Sequence, residues 1–145
     1  MRVVVDTSVW SLALRRRSPV PSPHTLLLTD LIQDGRALLL GLVRQELLSG
    51  IRHPEQFNRL REQLRSFPDG QFETEDFETA ASFFNLCMSN GIQGSMIDFL
   101  ICAFASRRHY QIFTSDPDFD HYSEVLPISL LRPQTPGRNI QDYLP

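Results

Sequence analysis

Val3-Val4-Val5-Asp6-Thr7-Ser8 is the stretch on which the reading of this chain turns. Three β-branched residues in a row, with no polar alternation, mark a strand covered on both faces, the habit of parallel sheets. Asp6 follows at once, and Thr7 and Ser8 suit the start of a helix. A strand that runs straight into a helix is the first half of a βαβ unit. The pattern predicts that helix over Val9–Leu14, ending near Arg15-Arg16-Arg17, where cations complement a helix C-terminus.

Working outward, the same grammar repeats. A Pro-rich link over Ser18–Pro23 leads to a second helix, His24–Gln33, closed by Asp34-Gly35. Ala37–Leu40 reads as a strand, Leu42–Ser49 as a helix with Leu42, Val43, Leu47 and Leu48 on one side, and Gly50 marks its end. Pro54 opens a helix to about Phe67, and Pro68-Asp69-Gly70 turns the chain. Thr74 is placed to cap a helix that ends at Asn90-Gly91, with Glu75, Asp76 and Glu78 in its first turn. Ser95–Arg108 is the most apolar helix, Gln111–Ser115 a third strand ending at Asp116, and Leu126–Leu131 a fourth. Strands separated by helices require crossover connections. The expectation is α/β: one domain over residues 1–145, with a central, mainly parallel sheet and helices on both faces. A Pro/Gly-punctuated tail covers 133–145.

Composition agrees with a self-sufficient domain. At 145 residues, a domain buries about two-thirds of the surface its unfolded chain exposes and needs no staples. No apolar run approaches the roughly 20 residues of a membrane span, and Met1 leads into a strand without a basic-then-apolar leader, so a cytoplasmic location is expected. Cys87 and Cys102 fall in apolar helical runs and read as buried free thiols. His24, His53, His109 and His121 have no zinc-ligand spacing with them. The net charge of −3 is not that of a nucleic-acid binder, although distribution matters more than the sum. All 14 basic residues are Arg, whose fork suits phosphate. Trp10, Phe83, Phe84, Phe99 and Phe104 fall at core spacing and read as packing rather than base-stacking platforms.

The chemistry lies in the acids. In open parallel sheets, ligands bind beyond the carboxyl ends of the strands. Two strands here run into a carboxylate at that edge, Val3-Val4-Val5-Asp6 and Ile112-Phe113-Thr114-Ser115-Asp116. Each Asp alone serves equally well as a cap or turn residue; the repetition of the device favours function. Asp98 interrupts Met96-Ile97-Asp98-Phe99-Leu100-Ile101-Cys102-Ala103-Phe104-Ala105, a run apolar on nearly every face. A carboxylate buried there needs an ion pair, a helix hydrogen bond or a metal to supply counter-charge. Glu46, on an amphipathic helix, reads by itself as a solvated face residue. Were the four to meet, two charges at about 4 Å would repel by about 4 kcal/mol at an effective dielectric of about 20. Such a cluster is tolerable only if partly protonated or bound to a cation. An all-oxygen set suits Mg²⁺ or Mn²⁺, whose natural reaction is phosphodiester hydrolysis.

The set resembles the PIN-domain family, and within it the VapC-like toxins of bacterial toxin–antitoxin pairs. Four pieces carry the resemblance, in order along most of the chain: Val-Val-Val-Asp6-Thr7-Ser8, Arg44-Gln45-Glu46-Leu47-Leu48-Ser49-Gly50, Met96 to Ala105 around Asp98, and Phe113-Thr114-Ser115-Asp116-Pro117-Asp118-Phe119. The resemblance implies a single α/β domain and Mg²⁺- or Mn²⁺-dependent endoribonuclease activity, the substrate a structured RNA such as tRNA or rRNA. It implies that Asp6, Glu46, Asp98 and Asp116 are the acidic metal-site residues, Asp6 and Asp98 foremost as direct ligands. Ser8 and Thr114 match the hydroxyl positions that support the site, and Asp118 the less constant acid before Phe119. The family also implies a homodimer and a small antitoxin that blocks the site and helps bind operator DNA. Pro117 departs from the basic residue the family often has there, a change that weakens RNA contacts rather than the metal site. Arg15–Arg17 can line an RNA path beside the site or form a solvated helix end.

Other readings are weaker. Receiver-like and haloacid-dehalogenase-like phosphotransfer domains lean on a lysine near the aspartate, and this chain has none. Flap-endonuclease-like enzymes need arch and duplex-gripping elements that this length does not accommodate. A PIN-like module that binds RNA or protein without cutting is the alternative, and the presence of all four acids weighs against it.

Overall fold

A computed structural model describes residues 1–14 and 21–133. Arg15–Arg17, most of the Pro-rich link and the tail beyond residue 133 lie outside the described residues. Four strands, β1 (Val3–Val5), β2 (Ala37–Leu38), β3 (Gln111–Phe113) and β4 (Ser129–Leu131), form one sheet in the order β2-β1-β3-β4. Every pairing is parallel: Val3 faces Ala37 on one side and Gln111 on the other, and Gln111 faces Ser129. All three residues of β1 have no exposed surface, as the unbroken β-branched run predicts for a strand covered on both faces.

The chain moves from β1 outward to β2 and then crosses back over β1 to β3 and β4. With right-handed crossovers, that reversal puts the intervening helices on opposite faces and opens a crevice between β1 and β3 at their carboxyl ends. Helices α1 (Thr7–Leu14) and α2 (Pro23–Gln33) form the first crossover; α3 (Gly41–Leu48), α4 (Pro54–Leu64), α5 (Thr74–Ser89) and α6 (Met96–Arg108) form the second. The α6 helix packs on both β1 and β3 and against α5, while α2 packs on β2. A short α7 (Asp118–Ser123) connects β3 to β4. No helix among the described residues is long and apolar enough to cross a membrane.

The core is the one the apolar pattern marks out. Trp10, Phe83, Phe99 and Phe104 are buried, with Phe84 half-buried against Phe99, and both cysteines are buried free thiols. Trp10 spends its indole N–H on the Val5 carbonyl at 3.1 Å and meets Phe67 edge-on. Arg44 holds the segment that follows α4: its guanidinium donates to the Leu64 and Phe67 carbonyls and to Asp69 Oδ1. Those contacts let Leu39 bridge to Asp69 and cover the edge beyond β2.

Several boundaries differ from the sequence reading. The α4 helix stops at Leu64, where the bonding shortens to i→i+3 turns from Ser66 to Gln63 and from Phe67 to Leu64 ahead of Pro68. Arg44 donates to the Leu64 and Phe67 carbonyls left at that end. Thr74 is the first helical residue of α5, and Glu73 occupies the cap position. Asp76 Oδ2 accepts the Glu73 N–H at 2.8 Å, so the acid three residues in does the capping. Asp76 has no exposed surface, and it also accepts from Arg107 and Arg108 on α6, with Oδ1 at 2.6 and 2.7 Å. Burial alone would raise its carboxyl, but the hydrogen bonds from Arg108, the Glu73 amide and Arg107 hold it well below the usual range. These ion pairs lock α5 to α6, and the Arg108 guanidinium rests 3.7 Å above the Phe104 ring one turn back on its own helix. The sequence pattern gave no sign of these pairs, since an acid in a first turn reads as an exposed dipole partner.

Candidate metal centre

Asp6 leaves β1 at its carboxyl end, its N–H donating to the Phe113 carbonyl at 2.9 Å. Its own carbonyl accepts from Val9 and Trp10 and so starts α1. The side chain is buried, 6% exposed, and is held by hydroxyls from both neighbouring strand ends. Ser8 Oγ and Thr114 Oγ1 each donate to Asp6 Oδ2 at 2.9 Å. Each hydroxyl has one proton, so their 3.2 Å contact with each other is packing rather than a further bond. As acceptors, Thr114 Oγ1 takes the Asp116 N–H at 3.0 Å and Ser8 Oγ the Ser115 N–H at 3.1 Å. The two hydroxyls therefore stitch the β1–α1 turn to the loop after β3. Oδ1 of Asp6 receives no hydrogen bond from any described residue.

Asp98 reaches the same edge from α6, which runs back toward the amino ends of the strands and so begins at their carboxyl ends. Ser95 caps this helix, accepting the Asp98 N–H at 3.0 Å. Asp98 therefore sits in the first turn, half-buried, rather than deep within the apolar run; the helix dipole there favours a negative charge. Tyr122 of α7 donates its hydroxyl to Asp98 Oδ2 at 2.7 Å.

After β3, Asp116 Oδ1 accepts the Asp118 N–H at 2.9 Å, which turns the chain into α7. Asp98, Asp116 and Asp118 each bring a carboxylate oxygen within 4.8 Å of the others. Burial raises the Asp98 carboxyl from 3.8 to about 6; the charges of Asp6 and Asp116 add to the rise, and the hydroxyls of Tyr122 and Ser95 oppose it. Asp6 thus lies within electrostatic reach of Asp98, although it is not one of the three converging acids. Glu46 lies in α3, half-buried and outside that group. No described hydrogen bond or ion pair engages its carboxylate.

The donor set is hard oxygen throughout, partly buried and short of positive charge, which suits a small divalent cation such as Mg²⁺ or Mn²⁺ rather than a thiolate- or imidazole-seeking metal. Two features go beyond the sequence reading, which named Asp118 only as a supporting acid and did not name Tyr122. Asp118 converges on Asp98 and Asp116 more closely than a supporting acid would. Tyr122 lies in a helix the pattern did not show, although Pro117 before it and the Phe119–Tyr122 spacing at i, i+3 are the marks of a short amphipathic turn. On the other side of the sheet's carboxyl edge, His24 at the start of α2 stacks on Phe113 at 5.8 Å. Burial and the Arg132 charge keep His24 below its usual range. Arg132, just after β4, donates to the Thr114 carbonyl at 2.7 Å and pairs with Asp120.

The family model described as PIN domain matches residues 3–125. No curated protein matches the chain by sequence. Among solved structures, the fold is shared with FitAcB from Neisseria gonorrhoeae at a TM-score of 0.72 and 20% identity, covering 90% of this chain and 97% of that one. VapBC2 from Rickettsia felis, solved with a DNA fragment from its promoter, gives 0.72 at 15% identity, covering 90% and 98%. VapBC-5 from Mycobacterium tuberculosis, a member of a toxin–antitoxin family, gives 0.67 at 19% identity, covering 91% and 99%.

Proposed function

Because the chain belongs to the PIN domain family, whose members are generally nucleases, we propose that it is a Mg²⁺- or Mn²⁺-dependent endoribonuclease. The single observation that carries the reading is the convergence of Asp98, Asp116 and Asp118 within 4.8 Å, beside the buried Asp6. Asp6, Asp98 and Asp116 would hold the cation, with Asp118 close enough to join them; Glu46, on α3, is the fourth acid that the family resemblance names. When bound, a divalent ion supplies a water or hydroxide of lowered pKa and neutralises charge on the phosphate.

The protein's own part is placement. Ser8 and Thr114 tie Asp6 Oδ2 to the loop after β3, so the ligands from two strand ends keep one geometry. Asp98 stands on a capped helix start, where its carboxylate cannot fray away. The order β2-β1-β3-β4 makes the carboxyl ends of β1 and β3 the switch point of the sheet, where ligands of open parallel sheets bind. The chain's all-Arg basic set is suited to backbone phosphate.

The reading extends to partners. The structural likeness to proteins solved as FitAcB and VapBC assemblies supports a toxin of a toxin–antitoxin pair with a small antitoxin partner. We propose further that the antitoxin holds it inactive and that it acts as a homodimer in the cytoplasm on a structured RNA. The test is cleavage of a mixed RNA pool by purified protein with Mg²⁺, with Mn²⁺ and with EDTA, beside an Asp6→Asn control. The expected result is metal-dependent cutting that the substitution removes. Folded protein that binds Mn²⁺ and cuts nothing would leave a binding module; cutting that survives Asp6→Asn would place the active site elsewhere.

A further inference from the structure

Tyr122 is buried without any exposed surface, in a part of the molecule where its hydroxyl has one described partner, Asp98 Oδ2 at 2.7 Å. A buried phenol needs an acceptor, and this one uses a carboxylate that stands at the candidate metal centre. Its ring is wedged between Phe99, 5.1 Å away on α6, and Phe119, 5.2 Å away on its own helix. The hydroxyl therefore has little freedom to point elsewhere. Gly94 lies against the same hydroxyl: a Cβ there would come within 2.5 Å of the Tyr122 hydroxyl oxygen and 2.8 Å of Phe99 Cζ. Gly94 does not need a positive φ, so what the position demands is space.

We propose that Tyr122 is a positioning residue for the metal centre, holding one oxygen of Asp98 so that the other faces the cation, in a seat that Gly94 keeps open. The proposal rests on reading the acid cluster as a divalent-cation site. A carboxylate free to rotate about its Cβ–Cγ bond loses that freedom when it ligates; one already fixed through its far oxygen loses less. The bond also joins two ligand-bearing elements. Asp98 is carried by α6, while Asp118 and Tyr122 are both carried by α7, which starts two residues after Asp116. Holding Asp98 to Tyr122 thus fixes the distance from α6 to the acids of the β3–α7 turn. A purely packing role for the ring would require the space at residue 94, but not the hydroxyl.

The experiment is calorimetric titration of Mn²⁺ alone into the metal-free full-length chain, comparing wild type, Tyr122→Phe and Gly94→Ala. Melting of each in EDTA reports on the fold. The phenylalanine keeps the ring and removes one oxygen, and Gly94→Ala crowds the same hydroxyl. The expected result is Mn²⁺ binding by wild type, weakened about tenfold in Tyr122→Phe, the scale on which outer partners of metal ligands act. Gly94→Ala should weaken it in the same direction. The Mn²⁺ concentration for half-maximal RNA cleavage should rise in step, while cleavage at saturating Mn²⁺ returns close to wild type. A packing role would instead lower the melting temperature and leave the Mn²⁺ midpoint alone. Mn²⁺ affinity in Tyr122→Phe within twofold of wild type would overturn the positioning role and leave the metal reading standing. Failure of wild type itself to bind Mn²⁺ would overturn the metal reading, and the positioning role with it.

Discussion

Replacing Asp98 with Asn sets the site's charge against the fold's stability, and the structure gives the magnitude. The Asp98 carboxyl is raised from 3.8 to about 6 by burial first and by Asp6 and Asp116 after it. At about 1.36 kcal/mol per unit, a shift of that size would cost folding about 3 kcal/mol at neutral pH. Asp98 is only half-buried, so solvent screening reduces this to about 1.5 kcal/mol. Asn keeps the size of the side chain and an oxygen that can accept the Tyr122 hydroxyl, while removing the charge. The metal-free Asp98→Asn protein should therefore melt about 5 °C above wild type near pH 7.5, by the usual conversion for a domain of this length.

The pH dependence gives the sign. A carboxyl whose folded pKa lies above its unfolded value favours folding while it is protonated in both states, and that contribution is lost as pH rises through about 6. The gap between variant and wild type should thus be full at about pH 7.5 and close as the pH is lowered toward the ordinary value of 3.8. Mn²⁺ should reverse the order, because a ligand at about 100 times its Kd stabilises by about 2.7 kcal/mol, and Asp98→Asn gains little of it. The assay is calorimetric melting of both proteins in EDTA and in excess Mn²⁺ at the two pH values. An Asp98→Asn protein that melts below wild type in EDTA at neutral pH would refute the reasoning. The Tyr122 and Ser95 hydrogen bonds would then outweigh the crowding of charge.

Asp76→Ala should cost about 3 kcal/mol in urea denaturation, because it unpairs Arg107 and Arg108 and removes the acceptor of the Glu73 amide. Its carboxyl is held low in the folded state, so the wild-type contribution is present above the ordinary value of 3.8 and shrinks as pH falls below it; in an acid titration the gap between the two proteins should narrow steadily below that pH. Thr114→Val takes away a donor to Asp6 Oδ2 and the acceptor of the Asp116 N–H; we expect about 2 kcal/mol lower stability and about tenfold weaker Mn²⁺ binding, read by melting and calorimetry. Gly70→Ala would set a Cβ 2.7 Å from Phe104 Cζ and 3.0 Å from Leu40 Cδ2, and should lose about 1–3 kcal/mol in thermal denaturation with no change in Mn²⁺ affinity.

The sequence by itself determined the class of fold, because periodicity and β-branching act locally. Val3–Val5 needs no distant information to declare a doubly covered strand, and the apolar run Ser95–Arg108 declares a buried helix. The same locality explains why Asp6 and Asp116 stood out, each sitting one step beyond a strand or its extension. Only the tertiary structure decided which acids converge. Strand order brings β1 beside β3, and that adjacency lets Thr114 reach Asp6 across 108 positions of sequence. Asp76 and Asp98 show the limit most clearly: both stand in the first turn of a helix, yet the linear pattern reads one as an exposed dipole partner and the other as buried in an apolar run, and in space they meet opposite surroundings. Asp76 is neutralised by two arginines from α6 and becomes part of the frame. Asp98 finds a tyrosine and other acids, and keeps the charge deficit that a cation can fill. A carboxylate's role depends on the net charge gathered around it, and that sum is taken over space rather than along the chain.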